Sequence, residues 1–334
     1  MRRLKAEWER HKLILLAFPH EETDWAEDGK LQEAITPFLK ISQAIAYSQS
    51  VYILCKDKSK IEELFCSKRN ISFIECDFND TWVRDYGALS IEEDGVNKLL
   101  DFRFDGWGGK FEAKLDDEVN SCLSKRGYFG VTPLERIDYV LEGGSIDSDG
   151  EGTILTTTEC LCNPNRNGGK SKSEVEKVLR EKLGAKRVLW LDSGYLTGDD
   201  TDSHIDTLAR FVSKDTIIYQ SCEDSLDEHY QALKEMEKEL KSFKTLDGKP
   251  YNLIALPMPK AIFKDGFRLP ATYANFLITN HSIIVPTYQD RANDKKVVEI
   301  FKKIFPKREI IPIDATKLIT QGGSIHCSTM QIDY

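Results

Sequence analysis

The chain of 334 residues predicts an α/β fold assembled from a repeated hairpin-plus-helix unit. Three observations lead there: helical periodicities alternate with paired apolar runs, turn residues split each pair, and the combination recurs about every 60 to 70 residues. No Pro/Gly/Ser-rich linker interrupts the pattern and no segment has low complexity, so one closed domain over residues 1–334 is expected. If the units are arranged around an axis, the beginnings of their hairpins converge on one central cavity, as strand ends do in a propeller.

Helical periodicity fits residues 31–47, 112–126, 173–183, 226–241 and 294–304. In the third, Ser173-x-x-Glu176 reads as a capping box and Gly184 stands where a C-terminal cap belongs. Hairpins are read at 88–92 with 97–102 across Asp94-Gly95, at 145–147 with 153–157 across Asp149-Gly150, at 206–212 with 216–220, and at 275–279 with 283–286. A last strand is read through Gly322-Gly323-Ser324-Ile325-His326-Cys327.

With 40% hydrophobic and 30% charged residues the chain can bury a sizeable core as a soluble, enzyme-sized protein. Lys+Arg 46 against Asp+Glu 55 gives a net charge of −9, and no basic run resembles a nucleic-acid footprint. The basic start Met1-Arg2-Arg3-Leu4-Lys5 precedes an apolar run, 13–18, too short for a signal peptide, and no apolar stretch approaches the ~20 residues that span a bilayer. Neither nucleic acid nor membrane is expected as a partner, and the cytoplasm is the expected compartment. The 8 cysteines are scattered without a disulfide framework, as reduced thiols are. Cys160-Leu161-Cys162 lacks a metal-ligand spacing and reads as packing, so no metal site is expected.

Chemistry concentrates in four segments. Cys327 follows a glycine turn, where a thiol at a cavity mouth becomes a nucleophile as the thiolate. Asn79-Asp80-Thr81-Trp82-Val83-Arg84-Asp85, Glu142-Gly143-Gly144-Ser145-Ile146 and Ser203-His204-Ile205-Asp206 add a base and several carboxylates. His204 and Asp206 lie two apart, so on a strand both would project from one face. So much negative charge around one cysteine suits a cationic ligand. Taken singly, each residue also has a structural reading: Cys327 as an inert buried thiol, Glu142 as a turn stabiliser, Arg84-Asp85 as a local ion pair, Trp82 and Trp107 as core aromatics. Gly106-Trp107-Gly108-Gly109 fits that reading least, because glycines around a tryptophan weaken a strand and leave room for a ligand.

Taken together, Asn79-Asp80-x-Trp82-x-Arg84-Asp85-x-Gly87, Trp107-Gly108-Gly109-Lys110, Glu142-Gly143-Gly144, Asn163-Pro164-Asn165-Arg166, Gly198-Asp199-Asp200-Thr201-Asp202-x-His204-x-Asp206 and Gly322-Gly323-Ser324-x-His326-Cys327 resemble the motifs of the agmatine deiminase and Porphyromonas-type peptidylarginine deiminase family, over nearly the whole chain. The resemblance implies the pentein fold, a five-bladed α/β propeller with pseudo-fivefold symmetry. It implies Cys327 as nucleophile, Asp85 and Asp206 as the carboxylates that hold a guanidinium, His204 as general acid and base, and Glu142 as the group that orients His204. Neither metal nor organic cofactor is implied, and a homodimer is.

The expected substrate is agmatine, hydrolysed to N-carbamoylputrescine and ammonia in polyamine synthesis. Trp82, Trp107 and Gly323 are expected to contact it, and Asp200 and Asp202 to receive its distal ammonium as spare carboxylates. Gly87-Ala88-Leu89-Ser90 departs from the family's usual Gly-Pro-aromatic pattern. The alternatives are another guanidino-group hydrolase acting on arginine or peptidylarginine, and a non-catalytic guanidinium- or polyamine-binding protein.

Overall fold

The computed structural model describes residues 2–334, and among these the side chains of all but 27–29. One supersecondary motif recurs five times: a strand, an antiparallel second strand, a helix, and a third strand parallel to the second. The first copy runs Leu89–Glu93, Val96–Arg103, helix Lys114–Lys125 and Leu134–Val140. The second runs Ile146–Ser148, Thr153–Thr157, helix Lys172–Leu183 and Arg187–Leu191. The third runs Ala209–Ser213, Thr216–Gln220, helix Tyr230–Ser242 and Asn252–Leu256. The fourth runs Leu277–Ile278, Ser282–Thr287, helix Arg291–Ile304 and Glu309–Asp314. A parallel pair needs a crossover, and the helix supplies it each time.

The fifth copy is made from both ends of the chain. Met330–Ile332 pairs antiparallel with Leu13–Ala17, which leads through helix Leu31–Ala46 to Ser50–Cys55. Ile71–Glu75 adds a parallel edge to this sheet, and Arg2–Leu4 adds an antiparallel edge to the first copy. Leu13–Ala17 is buried throughout and reads as a continuous apolar run, as a central strand covered on both faces must.

Local signals explain most boundaries. Asp94 and Gly95 both take positive φ, 52° and 81°, the turn that a two-residue hairpin requires. The capping box is formed by Ser171 and Glu174, two residues earlier than the pair read from the sequence. The same spacing occurs twice there, and Glu176 instead accepts from Trp190 Nε1 at 2.9 Å. Gly184 closes that helix in the left-handed region, φ 71°, with its Cα against the Arg2 carbonyl so that a Cβ would lie 2.0 Å from that oxygen.

Two strand assignments are corrected. Residues 205–208 form a single helical turn, Ile205–Leu208, with His204 before it, and the strand begins only at Ala209. Ile205 and Leu208 lie three apart, the spacing of one helical face, a signal too short to outweigh the strand that follows. Cys327 is likewise in a turn, with Ser328 N donating to Ser324 O at 3.2 Å and Thr329 N to His326 O at 3.0 Å, and the strand starts at Met330. Every hairpin is preceded by such a corner, and the corners join in a closed cycle. Arg84 N donates to Cys327 O at 3.1 Å, Gly144 N to Asp85 Oδ1 at 2.8 Å, Thr272 Oγ1 to Thr207 O at 2.8 Å, and His326 N to Asn275 O at 3.1 Å. Gly144 packs against His204 and completes the ring.

The strand that closes the fifth copy starts three residues after Cys327, so packing and site geometry are linked there. Ile332 is fully buried. Ile332→Ala is expected to lower the free energy of unfolding by about 2–5 kcal/mol, whereas Leu226→Ala, at a side chain 93% exposed, should change it by about 0.5 kcal/mol or less. Denaturant titration of both variants measures the difference.

Candidate active site

Each corner contributes to one cluster. Asp85 lies in the turn Val83–Tyr86 and is buried; its Oδ1 accepts from Gly144 N at 2.8 Å and its Oδ2 from Trp107 Nε1 at 3.0 Å. Trp107 reaches it from a left-handed turn in which Gly106, Trp107 and Gly108 have φ of 74°, 58° and 82°. The glycines therefore serve a tight turn and not a weakened strand. Arg84 does not pair with Asp85: it turns away to Glu7 Oε1 at 3.3 Å and Gln331 Oε1 at 2.5 Å.

Asp206 faces Asp85 across the same cluster. Its Oδ2 accepts from His326 Nδ1 at 2.7 Å and lies 3.6 Å from Cys327 Sγ, while its Oδ1 is buried without a hydrogen-bond partner among the described residues. Asn275 donates from Nδ2 to the sulfur at 3.1 Å and accepts the His326 N–H at 2.9 Å. His204 Nδ1 is 3.6 Å from Asp85 Oδ1, and neither ring nitrogen has a hydrogen-bond partner among the described residues. Gly144 permits this crowding, because a Cβ there would stand 2.7 Å from Asp85 Oδ1, 2.8 Å from His204 Nδ1 and 3.1 Å from Asp206 Oδ2.

The electrostatics follow from burial and like charge. Burial and then the Asp206 carboxylate raise Asp85 well above the usual carboxylate range. Burial pushes Asp206 the same way, but the hydrogen bond and charge of His326, with His204 and Arg210, hold it below that range. Burial, Asp206 and Asp85 raise the Cys327 thiol well above the ordinary cysteine value. Burial pushes His204 down to about 3. Without a ligand the pair at the centre is therefore a neutral thiol and a neutral imidazole beside two carboxyl groups that repel each other.

A cavity of about 260 Å³ opens onto the cluster, walled by Trp82, Trp107, Phe111, Gly323 and Cys327 and by the carboxyl residues Asp24, Asp80, Asp85, Asp199, Asp200 and Asp206. A Cβ at Gly323 would lie 2.5 Å from the Trp82 ring, so only glycine lets the ring lie against that backbone. Burial pushes Asp80 up to about 7 and Asp199 to about 6, and raises Asp200. Arg268, the one basic residue on the wall among the described residues, is committed to Asp227 at 2.7 Å and Glu228 at 3.1 Å.

Asp202 is not a spare carboxylate. It is held by Lys110 Nζ at 2.8 Å and Arg166 Nη1 at 2.6 Å and does not line the cavity, whereas Asp200 does. Glu142 and His204 do not reach the cavity surface either. Glu142 is fully buried with Oε1 on Arg166 Nε at 2.6 Å, and shares no hydrogen bond with His204. Glu142, Cys160 and His204 bring one potential ligand atom each within 4.8 Å of one another and could hold a soft divalent ion, but the guanidinium already seated on Glu142 opposes a second cation there.

Residues 3–332 match the family model described as Porphyromonas-type peptidyl-arginine deiminase. The chain belongs to this family. It is 31% identical over 363 residues to the agmatine deiminase of Medicago truncatula, covering 98% of this chain and 95% of that one. Among solved structures it is similar to a cysteine-to-serine variant of C. jejuni agmatine deiminase with substrate bound, at 40% identity and TM-score 0.94 over 100% of this chain and 97% of that one. It is also similar to the agmatine deiminase of Enterococcus faecalis, at 28% identity and TM-score 0.89 over 99% and 95% of the two chains. Its mixed α/β fold extends to dimethylarginine dimethylaminohydrolase at TM-score 0.53 and 13% identity, a likeness of fold alone.

Within this family member, the structure brings Asp85, Asp206, His204 and Cys327 together, and sets Trp82, Trp107, Gly323 and Asp200 along the cavity. Four contributors escaped the sequence reading. Asn275 occupies the corner of the fourth copy, the same position before a hairpin as the other site residues, and that equivalence was its one available signal. Arg166 stands inside a quoted motif, but its pairing across to Glu142 is tertiary. His326 and Glu7 are joined only by the fold.

The charge balance gives a pH test. The thiolate absorbance assignable to Cys327, taken as the difference between wild type and Cys327→Ala, is expected to appear only above the ordinary cysteine range in the ligand-free protein. It should move to lower pH when an unreactive alkylamidinium binds, because a cation beside the sulfur favours the thiolate. A titration midpoint unaffected by the amidinium would contradict the arrangement.

Proposed function

We infer that this protein is an agmatine deiminase, hydrolysing agmatine to N-carbamoylputrescine and ammonia in polyamine synthesis. The observation that carries the reading is the cavity: a nucleophile-bearing end flanked by buried Asp85 and Asp206, a carboxyl-rich wall, and a wall arginine already paired. A planar guanidinium presents N–H donors in its plane, so two carboxylates at its edges fix it while sulfur approaches its face. The relatives named agmatine deiminase lend support at the level of family.

The chemistry follows from the charges. An entering cation offsets the repulsion of Asp85 and Asp206 and lowers the cost of ionising Cys327. The thiolate adds to the guanidinium carbon, forming a tetrahedral intermediate. His204 carries the proton that leaves with ammonia, and the remaining S–C bond is an amidino-thioether. Water, deprotonated by His204, then adds to the same carbon and the thiolate departs, leaving a ureido product. Glu142, held by Arg166, stabilises the cationic form of His204 through space at this stage. Asp200 is the proposed receptor for the distal ammonium.

The five copies of one motif and their closed ring of corners support a five-bladed α/β propeller acting as a single catalytic domain. A cytoplasmic homodimer completes the reading.

Ammonia release should be measured with agmatine, free arginine, N-methylarginine and a peptidylarginine side by side. Agmatine is expected to lead arginine in kcat/KM by on the order of a hundredfold or more, since an α-carboxylate would face carboxyl groups with no free cation on the cavity wall among the described residues. Cys327→Ala should abolish turnover while agmatine still binds. Comparable kcat/KM for agmatine and arginine would overturn the substrate, and substantial turnover by Cys327→Ala would overturn the mechanism.

A further inference from the structure

Joined to the cluster through Asp206 is a largely buried chain of charge, with Glu7 at its far end 14% exposed, whose Glu7 and His326 the reaction just described does not use. Glu7 comes from the segment between Arg2–Leu4 and Leu13–Ala17 and reaches into the ring of corners. Its Oε1 contacts His326 Nε2 and lies 3.3 Å from Arg84 Nη1, and its Oε2 accepts from Arg210 Nη2 at 2.5 Å. His326 passes the contact on, with Nδ1 at 2.7 Å from Asp206 Oδ2. Both ring nitrogens thus face carboxylate oxygens. Each contact needs a proton between nitrogen and oxygen, so the three groups together hold two protons, one more than a neutral imidazole supplies.

We propose that Glu7 is a positioning residue for the deimination, acting through His326 to fix the orientation and ionisation of Asp206. The inference rests on the functional reading above. With Oδ2 tied down by His326, the one oxygen left for a guanidinium N–H is Oδ1, which is buried and without a partner among the described residues. Cys327 follows His326 directly and has its sulfur 3.6 Å from the tethered Oδ2, so the same chain sets the sulfur against the carboxylate. Arg84, from the turn Val83–Tyr86, and Arg210, from the strand Ala209–Ser213, hold Glu7 in place. Asp206 also faces His204, Asp85 and Arg210, none of which contacts its Oδ2 within hydrogen-bond distance.

Four variants test this: Glu7→Gln, Glu7→Asp, His326→Gln and His326→Asn. The aspartate keeps the charge for Arg84 and Arg210 but shortens the reach, and so covers the case in which Glu7→Gln folds poorly. The asparagine amide can stand in for Nδ1–H toward Asp206 while cutting the link to Glu7, whereas glutamine places its amide near Nε2 and cuts the link to Asp206. Glu7→Gln, Glu7→Asp and His326→Gln are each expected to lower kcat/KM for agmatine about 100-fold, with KM raised as well as kcat lowered. His326→Asn should lose less, and Glu7→Gln added to it should cost no more than about twofold further, because the path is already cut.

The acid limb of the kcat/KM profile should move to higher pH in Glu7→Gln, since Asp206 is then less well held in its ionised form. A purely structural role would lower stability without moving that limb. Burial and the Arg210 and Arg84 charges oppose a second proton on His326, while the Glu7 and Asp206 carboxylates favour it. Histidine 15N spectra of the ligand-free protein supply a readout independent of turnover: both His326 nitrogens should be protonated, and Glu7→Gln should remove one proton. Wild-type activity within about twofold in Glu7→Asp and Glu7→Gln, full additivity in the His326→Asn background, or a His326 ring with a single proton in the wild type would each overturn the proposal. Failure of the wild type to release ammonia from any guanidino compound would count against the functional reading alone, and the 15N result would then decide the relay.

Discussion

Two carboxyl groups, Asp85 and Asp206, are buried in one cluster with Cys327, neither of them ion-paired to an arginine or lysine among the described residues, and most of the surrounding structure exists to tolerate that arrangement. An unpaired buried charge costs several kcal/mol, so the fold distributes the cost. Asp85 receives a backbone and an indole N–H and rises toward neutrality, while Asp206 is anchored to an imidazole and stays ionised. The two carboxyls are thereby pushed apart in acidity, as interacting acids at functional sites are. A cation placed between the two would offset their repulsion.

The ring of corners is the scaffold that makes this possible. A side chain on a long strand would have to reach inward, but a single turn before each hairpin delivers the backbone itself to the centre, where Gly144 and Gly323 allow it to touch a carboxylate and an indole ring. Joining the two chain ends in one sheet closes the ring next to Cys327. The sulfur's position is thus tied to the pairing of the last strand in the chain, Met330–Ile332.

How much of this was legible in the sequence depended on the range of the interaction. Local patterns located the hairpin at Asp94-Gly95 and the glycine cap at Gly184, and the motif set brought out Asp85, His204, Asp206 and Cys327. One-turn elements defeated periodicity: four residues, Ile205–Leu208, are too few to show a helical period, and the strand that follows absorbed them. Charge pairing defeated it too. Asp202 looked spare because its partners, Lys110 and Arg166, lie 92 and 36 residues away, and nothing local marks either pair. Asn275 carried no motif, and only its place before a hairpin linked it to the other site residues.

The most direct test of the central claim, that Cys327 attacks a guanidinium held between Asp85 and Asp206, is rapid-quench intact-protein mass spectrometry during turnover of agmatine, followed by peptide mapping. The predicted result is a transient adduct equal in mass to the substrate less one ammonia, confined to the peptide that contains Cys327 and absent from Cys327→Ala. Turnover at full rate with no adduct under conditions that trap thioether intermediates, or an adduct on any of the other seven cysteines, would contradict it.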